Sequence, residues 1–265
     1  MNALVLRLAG PMQSWGTQSR LDIRDTAREP TKSGVLGLLC AALGRPRSEP
    51  ITDLLALSMV VRVDHAGTVR RDYQTAGGGT MPGVKRFGVA KASGGTPATI
   101  LSSRHYLCDA EFRVALQGVD LALLRKLAAA VEQPHWPLCL GRKAFVPNPG
   151  LGRGVRENCD ALTALRCEPW IRGHRRSPAT RALADSGQSE VAAAGDAVSL
   201  EPGIVRLKYV IELPADDFTG EVRNDVVNGF DTREFALRRV RVEWHPLEAS
   251  LVFDEEQHAS VAAST

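Results

Sequence analysis

Five cysteines in 265 residues, an odd number without a C-x-x-C pair, argue against both a disulfide framework and a structural zinc site. Apolar runs are short: none approaches the roughly 20 residues that a bilayer-spanning helix needs, so an integral membrane protein is excluded and no membrane contact is expected. Met1 leads directly into Ala3-Leu4-Val5-Leu6-Arg7-Leu8 with no basic leader or cleavage site, and a cytoplasmic address is expected. Catalytic signatures are missing as well. Gly79-Thr80-Met81-Pro82-Gly83-Val84-Lys85 lacks the Gly-Lys-Ser/Thr that seats a nucleotide and its magnesium. No His-Glu-x-x-His or Gly-x-Ser-x-Gly occurs, which weakens metal-dependent nuclease and hydrolase readings and leaves no cofactor to expect.

Lysine is scarce too, and that scarcity is informative. Of the 33 basic residues 27 are arginine, the cation that forks onto phosphates and stacks on bases, although a high genomic G+C content alone gives the same bias. The net charge of +3 conceals segregation: residues 139–181 hold nine basic and three acidic side chains, residues 182–221 two basic and eight acidic. With 44% apolar residues the chain is globular, and at this length folding removes roughly 70 to 75% of the unfolded surface from water.

Periodicity supplies the elements. Leu4, Leu6 and Leu8 alternate as a strand with one buried face, closed by Pro11 and Gly16. Ser33 is the expected N-cap of a buried helix reaching Leu43, with Gly44 and Pro46 as stop signals. Met59, Val61 and Val63 form a second strand, residues 69–75 a third, and residues 105–117 a fourth. A helix capped by Asp120 presents Leu121, Leu124, Ala128 and Val131, and a strand near residues 138–140 follows. The order β-α-β-β-α-β emerges once a glycine-rich excursion, with seven glycines and two prolines between Ala76 and Pro97, is treated as an insertion. It is the ferredoxin-like α+β plan shared by RNA-recognition folds. Residues 1–150 are therefore expected as a ferredoxin-like RNA-binding domain, with a thumb hairpin inserted at about 76–103. Residues 151–246 read as a small β-rich C-terminal region, containing a short helix over 157–165 and a flexible insertion at 177–203. Residues 247–265 read as a fraying tail.

Candidate contacts cluster near the N-terminus. Met12-Gln13-Ser14-Trp15-Gly16 is a turn-rich loop at a strand end, with Arg20, Arg24, Arg28 and Lys32 following at steps of four. A functional reading makes Met12 or Trp15 a stacking surface and the cations phosphate contacts, a combination suited to single-stranded RNA. Ser33 and the amides after it could add a phosphate site at a helix N-terminus. An indole folded onto the core and a solvated set of cations would account for the same residues. Further candidates are Lys85, Arg86 and Lys91 in the excursion, Arg104 beside His105, and Arg142 and Lys143 after Gly141; a disordered tether would account equally for the excursion, and an ordinary basic turn for Gly141-Arg142-Lys143. The catalytic alternative is metal-free RNA cleavage, with His105 or Tyr73 as base and Lys143 as electrostatic stabiliser; a packed or surface His105-Tyr106 pair competes with it.

The run Leu6-Arg7-Leu8-Ala9-Gly10-Pro11-Met12-Gln13-Ser14-Trp15-Gly16, then Arg24-Asp25-Thr26 and Glu29-Pro30-Thr31-Lys32-Ser33-Gly34-Val35-Leu36-Gly37-Leu38-Leu39, resembles the CasD family of type I-E CRISPR Cascade subunits. Asp72-Tyr73-Gln74-Thr75 and Leu140-Gly141-Arg142-Lys143 extend the match. The resemblance implies a repeat-associated mysterious protein with a modified RNA-recognition fold, which holds the 5′ handle of the mature CRISPR RNA without catalysis. In that family picture cleavage falls to a separate subunit, CasE, whereas type I-C relatives process the precursor themselves. Implied partners are the backbone subunit CasC, the large subunit CasA and, through the complex, target DNA. By matching position the handle-binding loop is residues 12–16 with Lys32 and Ser33, and the thumb is residues 76–103. Ala144-Phe145-Val146-Pro147 stands where relatives carry a Ser/Cys-Pro-rich stretch.

Overall fold

The computed structural model describes residues 1–17, 22–77, 79–81, 84–87, 99–172, 197–201 and 204–254. The first strand, β1 (Asn2–Ala9), buries Leu4, Leu6 and Leu8 on one face, but Ala3 and Val5 on the other are buried as completely. The strand is therefore central, covered on both sides, instead of having the single buried face its alternation suggested. Two short strands, β2 (Met12–Gln13) and β3 (Ile23–Arg24), lead to helix α1 (Lys32–Leu43). Its N-cap is Thr31, not Ser33: the Thr31 hydroxyl accepts from the Gly34 amide at 3.3 Å. Gly44, at φ +72°, closes the helix by donating its N–H to the Ala41 carbonyl, the left-handed stop that glycine makes cheap.

After a four-residue turn of helix, α2 (Thr52–Leu55), strand β4 (Ser58–His65) enters the main sheet. The chain then bends at Gly67 (φ +69°) and runs out along β5 (Thr68–Ala76). A short hairpin, β6 (Gly79–Met81) and β7 (Val84–Phe87), lies within the expected thumb, and β8 (Ile100–Cys108) returns antiparallel to β5. A second bend at Asp109 (φ +56°) brings β9 (Glu111–Gly118) back into the sheet between β1 and β4. The arm formed by β5 and β8 is thus the β4–β9 pair continued beyond a break. Helix α3 (Leu121–Glu132) follows, its N-cap Asp120 accepting from Leu123 N at 3.0 Å as read from the sequence.

Residues 138–140 are not a strand. The chain there folds into a turn in which Leu140 N donates to Phe145 O at 2.8 Å, and a three-residue apolar alternation is too short to separate a strand from a loop packing into the core. The strand beside β1 is instead β10 (Gly152–Arg156), beyond the boundary placed at residue 150. Helix α4 (Ala161–Arg166) starts four residues later than expected, because Asn158 takes φ +52° and Asp160 caps the Thr163 amide.

Strands β11 (Trp170–Arg172) and β12 (Ala197–Glu201) precede β13 (Ile204–Glu212), β14 (Glu221–Gly229) and β15 (Glu234–Pro246). Because β13 pairs antiparallel with the open edge of β4, the C-terminal strands continue the first sheet, in the order β10-β1-β9-β4-β13-β15-β14. A 3-10 turn (Ala249–Leu251) and β16 (Val252–Asp254) end the described chain; β16 pairs parallel with β11, so the expected fraying from residue 247 does not hold that far. Most of the expected 177–203 insertion, and residues 255–265, lie outside the described residues.

The result is an α+β protein of mostly antiparallel strands with few helices. One core lies between the sheet and helices α1 and α3, and a second lies between the opposite sheet face and α4.

Candidate nucleic-acid interface

The segment leaving β1 is fixed by its own polar side chains. Gln13 is fully buried; its amide nitrogen donates to Leu8 O at 3.0 Å and Ala110 O at 2.7 Å, and its oxygen accepts from the Trp15 indole N–H at 3.2 Å. Trp15 is 1% exposed and packs so tightly on α1 that a Cβ at Gly34 would lie 2.8 Å from its ring. Its backbone N–H donates to the Thr26 hydroxyl at 2.9 Å, and its carbonyl accepts from Ala27 N at 2.6 Å. Trp15 therefore ties the loop carrying Arg24 to helix α1. It offers no face on which a base could stack, which corrects the stacking reading in favour of the indole folded onto the core.

Strand pairing then assembles a row of charges. Strand β3 runs parallel to β8 with Arg24 opposite Arg104, and on the other side of β8 Asp72 of β5 is opposite the same Arg104. Like charges directly opposite on neighbouring strands are destabilising. Neither the Arg24 nor the Arg104 side chain has a hydrogen-bond or ion-pair partner among the described residues. Arg142 is brought over this pair by a turn at Gly141. That glycine has φ +86°, and a Cβ on it would lie 1.7 Å from the Ser14 carbonyl oxygen, so only glycine fits. The Arg142 guanidinium donates to His105 O at 2.8 Å and Arg24 O at 3.4 Å, and sits 5.6 Å over the Phe145 ring. Burial pushes its pKa down, and the charges of Arg104 and Arg24 push in the same direction against Asp72 and Asp25.

These groups line an open cleft of about 370 Å³ bounded by Ser14, Gly16, Arg24, Asp25, Arg104 and Arg142. Asp25 is held by Thr17, whose N–H and hydroxyl donate to its two oxygens at 3.0 and 2.8 Å. The sequence shows Asp25 and Asp72 only within the motifs of the family resemblance and gives neither a place at the site. No spacing rule links Thr17 to Asp25, and the place of Asp72 beside Arg104 follows only from the strand register.

Of the residues singled out in the sequence, Ser14, Gly16, Arg24, Arg104 and Arg142 meet in this cleft. Met12 is half-buried against the core, and Arg28 and Lys143 are exposed but outside the lining. Lys32 is 3% exposed, and its Nζ donates to Glu212 at 2.6 Å. It is an internal tie and no phosphate contact. The helix N-terminus beside Ser33 is likewise occupied, since Asp225 accepts from Lys32 N at 2.9 Å. Lys85 and Arg86 lie on β7, and Lys91 lies outside the described residues.

The fold and site thus define an α+β protein in which three guanidinium groups and Asp25 line an open cleft at the root of a strand arm. The family described as CRISPR-associated protein (Cas_Cas5) matches residues 3–241, and the chain belongs to it. The chain is 39% identical over 178 residues to the CRISPR system Cascade subunit CasD of Escherichia coli (strain K12), covering 61% of this chain and 75% of that protein. It also resembles a chain of a solved CRISPR RNA-guided surveillance complex, with a TM-score of 0.77, 32% identity, and coverage of 99% of this chain and 98% of that one. A crystal structure of a Cas protein aligns with a TM-score of 0.62 and 34% identity, over 93% of this chain and 96% of that one. Among the described residues, no helix is long and apolar enough to cross a membrane, and no three potential metal ligands cluster.

Proposed function

We propose that the chain is a CasD-type subunit of a Cascade surveillance complex, a non-catalytic cytoplasmic component that grips the 5′ handle of the CRISPR RNA. In this reading it bridges the backbone subunit CasC and the large subunit CasA, and meets target DNA through the complex. The observation that carries it is the in-register pair Arg24 and Arg104 beneath Arg142. Three like charges against two carboxylates, Asp25 and Asp72, leave the free protein an electrostatic cost that a phosphodiester backbone offsets on binding. The succession β1-α1-β4-β9-α3-β10, ordered β10-β1-β9-β4 in the sheet, supports a ferredoxin-like core. The sheet face that RNA-recognition folds use for stacking is covered here by α4 and the following turn, which favours binding at the arm.

Alternation along β8 bears on the nuclease alternative. His105 is adjacent to Arg104 and projects from the opposite face of the strand, and neither His105, Tyr73 nor Lys143 lines the cleft. Titration of handle RNA into the full chain at several salt concentrations tests the proposal. Arg104→Ala and Arg142→Ala should each weaken binding and lower the slope of log K against log salt by about 0.7, the value for one phosphate on a single strand. Labelled precursor RNA incubated with the protein in EDTA should stay intact; specific cleavage lost in His105→Ala would instead establish the nuclease.

A further inference from the structure

The sheet face turned away from α1 and α3 carries a second concentration of arginine. Arg62, Arg113 and Arg7 are opposite one another on the adjacent strands β4, β9 and β1. Arg62 and Arg113 are buried, and Arg62 serves the fold itself, since it pairs with Asp64 and donates to the carbonyls of Leu165, Glu168 and Pro169, closing the end of α4. The edge strand β10 is different. Leu4 pairs with Val155 and Leu6 with Gly152, so β10 holds one extra residue, and Gly154 takes φ +83°. This is a β-bulge with glycine in the left-handed position, a device that re-aims side chains. In a regular strand residues three apart point to opposite faces. The bulge instead turns both Arg153 and Arg156 onto the face of Glu168.

Glu168 is 2% exposed and is shared: Arg156 donates to it at 2.6 Å, Arg153 at 3.4 Å, and Arg113 Nε lies 3.9 Å away, buried without a hydrogen-bond partner. The side chains of Arg153 and Arg156 remain 38% and 40% exposed. Among the described residues, five guanidinium groups on this face meet the carboxylates of Asp64, Glu111 and Glu168. Arg153 and Arg156 lie at the exposed edge, within the stretch where basic residues outnumber acidic ones nine to three.

We propose that Arg153 and Arg156, aimed by the β10 bulge and anchored on Glu168, form a second phosphodiester-binding site, separate from the arm cleft, that holds a nucleic-acid strand. Arg156 is held twice, by Glu168 and by its Nη1, which donates to Arg153 O at 3.0 Å, whereas Arg153 engages Glu168 through Nε alone; planar forks pre-oriented in this way keep N–H groups, above all the two Nη of Arg153, that suit phosphate oxygens. None of the residues that build this site lines the cleft, so it adds a contact the cleft cannot make.

The test compares the intact chain with an Arg153→Gln, Arg156→Gln double variant, using labelled single-stranded RNA and single-stranded DNA of one sequence, each long enough to extend beyond the cleft. The salt slope should fall by about 1.4, or ~0.7 for each of two phosphates, for at least one strand, while a short RNA that fills only the cleft binds as before. A fall confined to RNA assigns the site to the guide, and one confined to DNA assigns it to target. An unchanged slope on both strands in a folded variant overturns the proposal, including the case where only an acidic polypeptide loses binding. Should the variant fail to fold by circular dichroism, photo-crosslinking of the unaltered chain decides: adducts are expected within residues 152–156, and their absence overturns the proposal.

Discussion

Removing the Trp15 side chain takes a buried indole from between β2 and α1, where Gln13 and Gly34 are shaped around it. Trp15→Ala should therefore cost about 3–5 kcal/mol of folding stability, the range for large aromatic truncations in a core, measured by denaturant unfolding. Trp15→Phe should recover much of that loss and retain RNA affinity. A base-stacking platform would give the opposite pattern, with near-neutral stability and about 1–3 kcal/mol of lost binding. Gly141 is the complementary case, important for what it lacks. Gly141→Ala meets the Ser14 carbonyl and a left-handed backbone together, so a cost of about 1–3 kcal/mol is expected. The turn then no longer delivers Arg142 over Arg24, and the salt slope for RNA should fall by about 0.7 while Lys143→Ala leaves it nearly unchanged.

At the scale of elements, the start of α1 separates local chemistry from tertiary placement. Thr31 and Ser33 are both good capping types, but only the Thr31 hydroxyl accepts from the Gly34 amide, and Ser33 lies inside the first turn. Thr31→Ala should lower the thermal midpoint, at about 0.5–2 kcal/mol, whereas Ser33→Ala should be close to neutral. Legibility in the sequence follows the same division. Strands β1, β4 and β9 and helix α3 are readable because each carries its own period or cap, and α1 because its apolar run ends at the stop signals Gly44 and Pro46. Strand β10 was not: Gly152-Arg153-Gly154-Val155-Arg156 has no apolar alternation, and the bulge that seats it beside β1 exists only in the pairing. The candidate site divides likewise. Arg24, Arg104 and Arg142 were legible as cations in loops or strands, but nothing local said that Arg24 would be opposite Arg104. The sequence marked Trp15 and Lys32 as unusual, and burial alone decides that they support the site from beneath.

Across the whole molecule, the C-terminal strands hold the loop that carries the cleft. Glu29, five residues beyond Arg24, pairs with Lys208 of β13 at 2.5 Å, and Lys32 pairs with Glu212 of the same strand at 2.6 Å. Arg238 of β15 donates to both oxygens of Asp225, at 2.6 and 2.8 Å, and Asp225 in turn accepts from the first amide of α1. This chain of ion pairs joins residues about two hundred positions apart in sequence. It also makes stability pH-dependent with a definite sign. Burial alone would raise the Asp225 carboxyl, but the hydrogen bonds and charge of Arg238 outweigh it and hold the group below the ordinary carboxylate range. A carboxyl depressed in the folded state stabilises fully above its unfolded pKa, about 3.9, and that contribution is lost as pH falls through the lower folded value. Denaturant unfolding should therefore show stability level near neutrality and falling below about pH 4. Asp225→Asn, which leaves Arg238 buried beside a neutral amide, should be destabilised near neutrality and show a shallower acid limb. Handle-RNA affinity should decline in that variant even though Asp225 is not part of the cleft lining, because the α1 start and the Arg24 loop are both held by the C-terminal strands. Unchanged affinity in a measurably destabilised Asp225→Asn chain would show that the arm keeps its shape without the C-terminal strands.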